Sequence, residues 1–174
     1  MKFSSPISQS AEITAEAFSG SKALNVESAI TLQNWINGGS VSEVWFDVWF
    51  NNELGSSPII TFDSVSTISF DSDNRLTVYD SSALGSLLLP DVASASGWRH
   101  LIVKSDYAYQ VSDYYMDGAR VLQNVAFEEN SPFLNLLEIQ GPILIDDLNI
   151  TSAKPAGLDD DRNGLNNEEE LIGY

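Results

Sequence analysis

The sequence predicts an all-β fold, a two-sheet antiparallel β-sandwich, on three observations. Apolar and polar residues alternate with a period of two over many short runs, the signature of half-buried strands. Turn-forming residues separate those runs at short intervals, as they do in sandwiches and barrels. Helical patterning is nearly absent, and "EEELIG" close to the C-terminus is the one stretch that reads as a helical turn.

Taken in order, the first strong element is "VWFDVWF". Alternation places Val44, Phe46, Val48 and Phe50 on one face and Trp45, Asp47 and Trp49 on the other. Apolar, β-branched or aromatic runs follow as "PIITF", "TISF", "RLTVYD", "WRHLIVKSD", "YYMDG", "LLEIQ" and "ILIDDLNIT". Turn signals stand between them at Asn51-Asn52, Ser56-Ser57-Pro58, Asp73-Asn74, Ser96-Gly97, Asp117-Gly118 and Gly141-Pro142. "YYMDGARV" is the best-defined hairpin, because a two-residue loop needs positive φ and Asp-Gly supplies it. "SAKPAG" (Ser152 to Gly157) reads as a joint, which divides the chain into a sandwich over residues 1–151 and a tail over 152–174.

A chain of 174 residues with 43% apolar content is sufficient for one domain with a real core. No apolar run approaches the roughly 18 residues of a membrane span. "MKFSSPISQS" carries a lysine with no apolar run behind it, so no signal peptide is read there; a secreted chain that has lost its leader looks the same. The net charge of −17 arises from 25 acidic and 8 basic residues. Such a surface repels phosphate backbones and anionic lipid, so nucleic acid and membrane insertion are not expected, while cations and neutral sugars remain compatible. The absence of cysteine removes disulfides, thiol catalysis and cysteine metal sites.

Five stretches in order resemble the LamG-like, concanavalin A-like jelly rolls: "FSGSKALNV", "EVWFDVWF", "GWRHLIVKSD", "YYMDGARV" and "ILIDDLNIT", across residues 18 to 151. The resemblance implies two curved antiparallel sheets packed face to face, and a non-catalytic module of a larger bacterial secreted or cell-surface protein. Some glycoside hydrolases share this sandwich. Retaining hydrolysis needs two carboxylates about 5 Å apart, which the related hydrolases place on one strand as Glu-x-Asp-x-x-Glu. No such run exists here: "EVWFD" has the wrong spacing and "LEIQG" has Gln140 where the aspartate would stand.

The tail carries a metal-ligand pattern. A twelve-residue calcium loop supplies oxygens at its positions 1, 3, 5, 7, 9 and 12, with glycine at 6. Counted from Asp159, these fall on Asp159, Asp161, Asn163, the Leu165 carbonyl, Asn167 and Glu170, with Gly164 at the turn. Counting from Asp160 puts Arg162 at a ligand position and misplaces the glycine, so the register is unique. No helix is expected before the loop, which resembles those of dockerins and thrombospondin type 3 repeats more than a helix-loop-helix sensor. Its exit helix is cut short at Tyr174, which implies a longer natural chain with neighbouring domains. Ca²⁺ is the expected cofactor, and a merely solvated acidic segment is the competing reading.

Other candidates are each paired with a plainer account. Trp45, Asp47 and Trp49 offer aromatic surface beside a hydroxyl acceptor and are candidate ligand-binding residues, as is Trp35 in the loop-like "QNWINGGS". Tryptophans in a sandwich also pack under loops and at sheet edges. His100, the single histidine, is expected to be structural, as the family resemblance implies. Asp146-Asp147 reads as a strand terminus with one solvated and one turn-capping acid, and Asp71/Asp73 have the same status. Two functions therefore stay open: recognition of a glycan or surface protein, and a structural spacer or assembly module.

Overall fold

The computed structural model describes residues 11–14, 20, 22–33, 42–52, 57–62, 65–70, 75–83, 85–88, 97–134 and 136–158. Among these, all regular structure is β. Thirteen strands run β1 (Ala11–Thr14), β2 (Ala23–Val26), β3 (Ala29–Gln33), β4 (Glu43–Asn51), β5 (Ile59–Phe62), β6 (Ser66–Phe70) and β7 (Leu76–Asp80), continuing as β8 (Gly85–Leu88), β9 (Arg99–Asp106), β10 (Val111–Met116), β11 (Ala119–Ala126), β12 (Leu136–Gln140) and β13 (Ile143–Thr151). They form a seven-stranded sheet, β1-β2-β13-β4-β9-β10-β11, and a six-stranded sheet, β3-β12-β5-β6-β7-β8. Every pairing is antiparallel. The predicted two-sheet sandwich is the observed one.

Alternation assigns the faces as expected. Val44, Phe46, Val48 and Phe50 of β4 join Leu101 and Val103 of β9 and Tyr114 and Met116 of β10 in a core shared with Ile60, Phe62, Ile68, Phe70, Leu76, Val78, Leu137 and Ile139 of the facing sheet. The sheets meet edge-on through aromatic pairs: Phe46–Phe62 at 4.7 Å and Phe50–Phe70 at 5.5 Å between ring centroids. Edge-to-face geometry sets the positive rim of one ring against the negative face of the other. One polar bridge crosses this core, between the Ser66 and Tyr114 hydroxyls. Together with Ser112 it satisfies the buried phenol, and burial pushes the Tyr114 phenol above its ordinary range.

The turns explain how the sheets connect. Asp117 (φ 51°) and Gly118 (φ 89°) both occupy positive φ in the β10–β11 hairpin, as the Asp-Gly pair requires. At the Gly141–Pro142 bond, which is cis, the chain passes from β12 in one sheet to β13 in the other. A Cβ on Gly141 would lie 1.8 Å from the Val26 carbonyl oxygen, so only glycine fits.

Two sequence expectations are corrected. Asn51-Asn52 was expected as a turn, but β4 runs through Asn51, which pairs with Leu144, and both asparagines are buried. Asp146-Asp147 is not a strand terminus. It lies inside β13 at a register shift between Asp146 and Asn149, where Asp147 takes φ 48° and its N–H donates to Asp146 Oδ1 at 2.9 Å. A bulge of this kind re-aims side chains within a continuous strand.

Candidate functional site

The outer face of the seven-stranded sheet, away from the core, carries the chemistry. Cross-strand pairing sets Trp45 beside Lys104, Asp47 beside Ile102, and Trp49 beside His100. On the next strand Lys104 pairs with Asp113, Ile102 with Tyr115, and Asp106 with Val111. Paired residues share a face, so these side chains form one continuous surface.

One end of that surface is closed. Trp45 is 3% exposed and clusters with Ile102, Tyr115 and Leu158, itself 2% exposed. Its ring lies 6.0 Å from that of Tyr115, and the Lys104 ammonium sits 5.8 Å from its centroid. Leu158 comes from the segment after β13, which turns back over the sheet. In that segment the Ala153 N–H donates to Thr151 Oγ1 at 3.1 Å, and the Gly157 carbonyl approaches the Gly118 turn, 3.4 Å from where a Cβ there would stand. Trp45 was a candidate ligand contact. The structure instead buries it as the floor beneath a strap, because an indole on a sheet face gains more apolar burial from Leu158 than it keeps in water.

Beyond Trp45, Asp47 and Trp49 are spoken for by one partner. The Trp49 and His100 rings stack at 4.5 Å with a 1° interplanar angle. His100 Nε2 lies 2.6 Å from Asp47 Oδ1, and each of these two side chains is 21% exposed. The histidine is thus oriented by a carboxylate and a ring face. Trp35, Asp71, Asp73 and the calcium-loop residues Asp159, Asp161, Asn163, Leu165, Asn167 and Glu170 lie outside the described residues. Among the described residues no group of three or more His, Asp or Glu side chains is arranged to hold a metal ion.

The other end is open. A groove of about 330 Å³ is lined by Lys104 and Asp106 of β9, Tyr109 of the following turn, Val111 and Asp113 of β10, and Asn124 of β11. Tyr109 is 79% exposed. The turn that presents it is braced on all sides. Asp106 Oδ1 accepts the N–H groups of Ala108 at 2.9 Å and Tyr109 at 3.1 Å. Tyr107 is buried against Phe127 at 5.3 Å, and its N–H donates to the Ser42 carbonyl at 2.8 Å. The Gln110 amide ties the turn to Ser131 in both directions: Nε2 donates to its carbonyl at 2.9 Å and Oε1 accepts its N–H at 2.8 Å. A ring on a turn with a fixed backbone costs no loop ordering to engage.

The groove's charges are also ordered. Lys104 Nζ contacts Glu43 Oε1 at 2.8 Å. Burial pulls the lysine down, but the Glu43 hydrogen bond and the charges of Glu43, Asp113 and Asp106 more than reverse this, so its pKa stands above the usual 10.5. Asp113 Oδ1 accepts the N–H of Asn124, whose φ of 55° marks a bulge in β11, at 2.8 Å. None of these groove residues stands out in the sequence. The available signal was "SDYAYQVSD", where Tyr109 falls between two alternating strands and has no pleat to bury it.

No family model matches the chain, and no curated protein sequence matches it. Solved structures do. It superposes on a sialidase with a TM-score of 0.59 at 12% identity, over 83% of this chain and 17% of that one. The chain therefore spans a small part of that sialidase. It matches Caenorhabditis elegans galectin LEC-6 at a TM-score of 0.53 and 14% identity, over 73% of this chain and 93% of the galectin. Domain 4 of AbnA, a GH43 extracellular arabinanase from Geobacillus stearothermophilus solved with arabinotriose, matches at 0.53 and 18%, over 80% and 74%. The likeness is one of fold: the two-sheet sandwich is a jelly roll. At these identities the fold is all it shows.

Proposed function

We propose that this chain is a non-catalytic recognition module that binds glycans through the outer face of its seven-stranded sheet. The observation that carries the reading is the groove at the β9–β10 turn. There an exposed tyrosine on a hydrogen-bonded turn lines one groove with two carboxylates, an ammonium and an amide. Saccharides stack their apolar faces on aromatic rings and exchange hydroxyl hydrogen bonds with such groups, so the groove offers both kinds of contact. A domain of the same fold, domain 4 of AbnA, holds arabinotriose, which shows that the fold accommodates an oligosaccharide. The sequence lacks the Glu-x-Asp-x-x-Glu run that the related hydrolases use, which favours binding over catalysis.

The tail supplies the second part of the proposal. Asp159, Asp161, Asn163, the Leu165 carbonyl, Asn167 and Glu170 would hold Ca²⁺ with three carboxylates, two amides and a carbonyl, an all-oxygen set suited to a hard cation. Affinity on the order of 10⁻⁴ M is expected, as in extracellular modules, and an extracellular or cell-surface setting within a longer bacterial protein is part of the same proposal. Leu158, one residue before the loop, is anchored on Trp45, so ion binding would stiffen the joint to whatever follows. That anchoring also favours the second reading, a spacer or assembly module that sets the position of its neighbours.

A glycan-array screen with and without calcium separates the two. The recognition reading expects hits that Tyr109→Ala removes; a blank array favours the spacer. For the ion, millimolar Ca²⁺ is expected to raise the melting temperature, and Asp159→Ala with Glu170→Ala to abolish that rise. An equal rise in the double variant contradicts the calcium site.

A further inference from the structure

We propose that the groove selects glycans bearing free amino groups, cationic amino sugars, over their N-acetylated and acidic counterparts. The inference rests on the glycan-binding reading and names its ligand class.

It comes from the charge pattern around Tyr109. Of the three charged side chains among the groove's described residues, Lys104 is matched by Glu43, which lies outside the lining and holds its ammonium at 2.8 Å. Asp106 and Asp113 are left in excess. Each commits Oδ1 to the backbone: Asp106 to Ala108 and Tyr109, Asp113 to Asn124. A carboxylate has about four acceptor positions, so both retain acceptor capacity after those bonds are made. The diagonal placement of Asp106 and Asp113 on paired strands sets two such acceptors on one face of the sheet.

An ammonium group fits that arrangement as a hydroxyl does not. It carries three donors, forms charge-assisted hydrogen bonds roughly twice as strong as neutral ones, and is attracted to the face of an aromatic ring within about 6 Å. An amino sugar can stack on Tyr109 while its amine reaches the carboxylates. The net charge of −17 adds long-range attraction for such a ligand and repulsion for uronic or sialic acids. N-acetylation removes the charge and two of the donors, so the same sugar loses the contacts that the carboxylates offer.

The test is calorimetric titration of the full chain at slightly acid pH and low salt. The ligands are a β-1,4-linked glucosamine tetramer, its fully N-acetylated form, and a neutral glucose tetramer with the same linkage. The glucosamine tetramer is expected to bind about tenfold tighter than the acetylated form, the factor corresponding to about 1.4 kcal/mol, or one charge-assisted hydrogen bond. Asp106→Asn with Asp113→Asn keeps the Oδ1 acceptors that hold the turn and the bulge, and is expected to bring the three affinities together. Tyr109→Ala is expected to weaken all of them. Equal affinity for the amino and acetylated tetramers in the native chain overturns the amino-sugar inference and leaves the glycan reading standing. Binding by none of the three, with an array also blank, removes the glycan reading itself. Glucosamine binding unaffected by Tyr109→Ala assigns the attraction to the acidic surface at large and overturns the inference.

Discussion

The two ends of one sheet face treat their aromatic residues in opposite ways. At the end around β4, Trp45 is covered by Leu158, flanked by Tyr115 and approached by Lys104, while Trp49 stacks on His100. At the end around the β9–β10 turn, Tyr109 stands 79% exposed on a turn held by Asp106, Tyr107 and Gln110. The difference follows from position on the backbone. A residue on a strand has cross-strand neighbours on both sides that can take up its ring. A turn residue has none, and stays outside unless a loop covers it. Aromatic count along a strand therefore overstates exposed aromatic surface, and the turn is where an exposed ring remains.

Substitutions at the two ends should separate stability from binding. The largest effect is expected at the closed end. Trp45→Ala removes an indole packed against three side chains and should cost about 3–5 kcal/mol in urea denaturation; a near-neutral result would mean the strap does not rest on it. Leu158→Ala comes next, at about 2 kcal/mol, with a red shift in tryptophan emission as the ring meets water. No shift would mean that Leu158 does not shield the Trp45 ring and would weaken the case for the strap.

Beneath both ends lies Tyr114. Its phenol is held above the ordinary value of 10.0, with burial the leading cause. The unfolded chain ionises first as pH rises, so its contribution is full below pH 10.0 and is lost above it. The loss should be at most about 1.4 kcal/mol per pH unit, and Tyr114→Phe should flatten that slope. An unchanged slope would assign alkaline unfolding to other groups. Lys104, also raised, adds loss of the same sign above 10.5. The smallest stability effect belongs to the open end: Tyr109→Ala should stay within about 0.5 kcal/mol of the native chain. A larger loss would make the tyrosine a packing residue and dissolve the contrast.

Much of the fold was legible because the signals were local. The alternation in "EVWFDVWF" and "WRHLIVKSD" became β4 and β9, and Asp117-Gly118 closed the hairpin it implied. Strands β1, β3 and β8 were not read, since four or five residues are too few to separate strand from loop, even where β1 and β3 alternate. The bulge at Asp146-Asp147 was missed for a similar reason: a register shift appears only when the partner strand is known. The site was legible only in part. Trp45, Asp47 and Trp49 share the face that alternation assigned, but a lone leucine in "SAKPAGLDD" gives no hint that it lands on Trp45. The groove draws Lys104, Asp113 and Asn124 from three strands, and no spacing in the chain announces that meeting.

The most direct test of the contrast is a ¹⁵N-labelled titration with the glucosamine tetramer. The account predicts that the backbone amides of Ala108, Tyr109 and Asn124 shift, while the indole N–H signal of Trp49, which pairs with His100 outside the groove, stays in place. Movement of the Trp49 indole signal with a silent β9–β10 turn would contradict it and return the ligand to the tryptophan face.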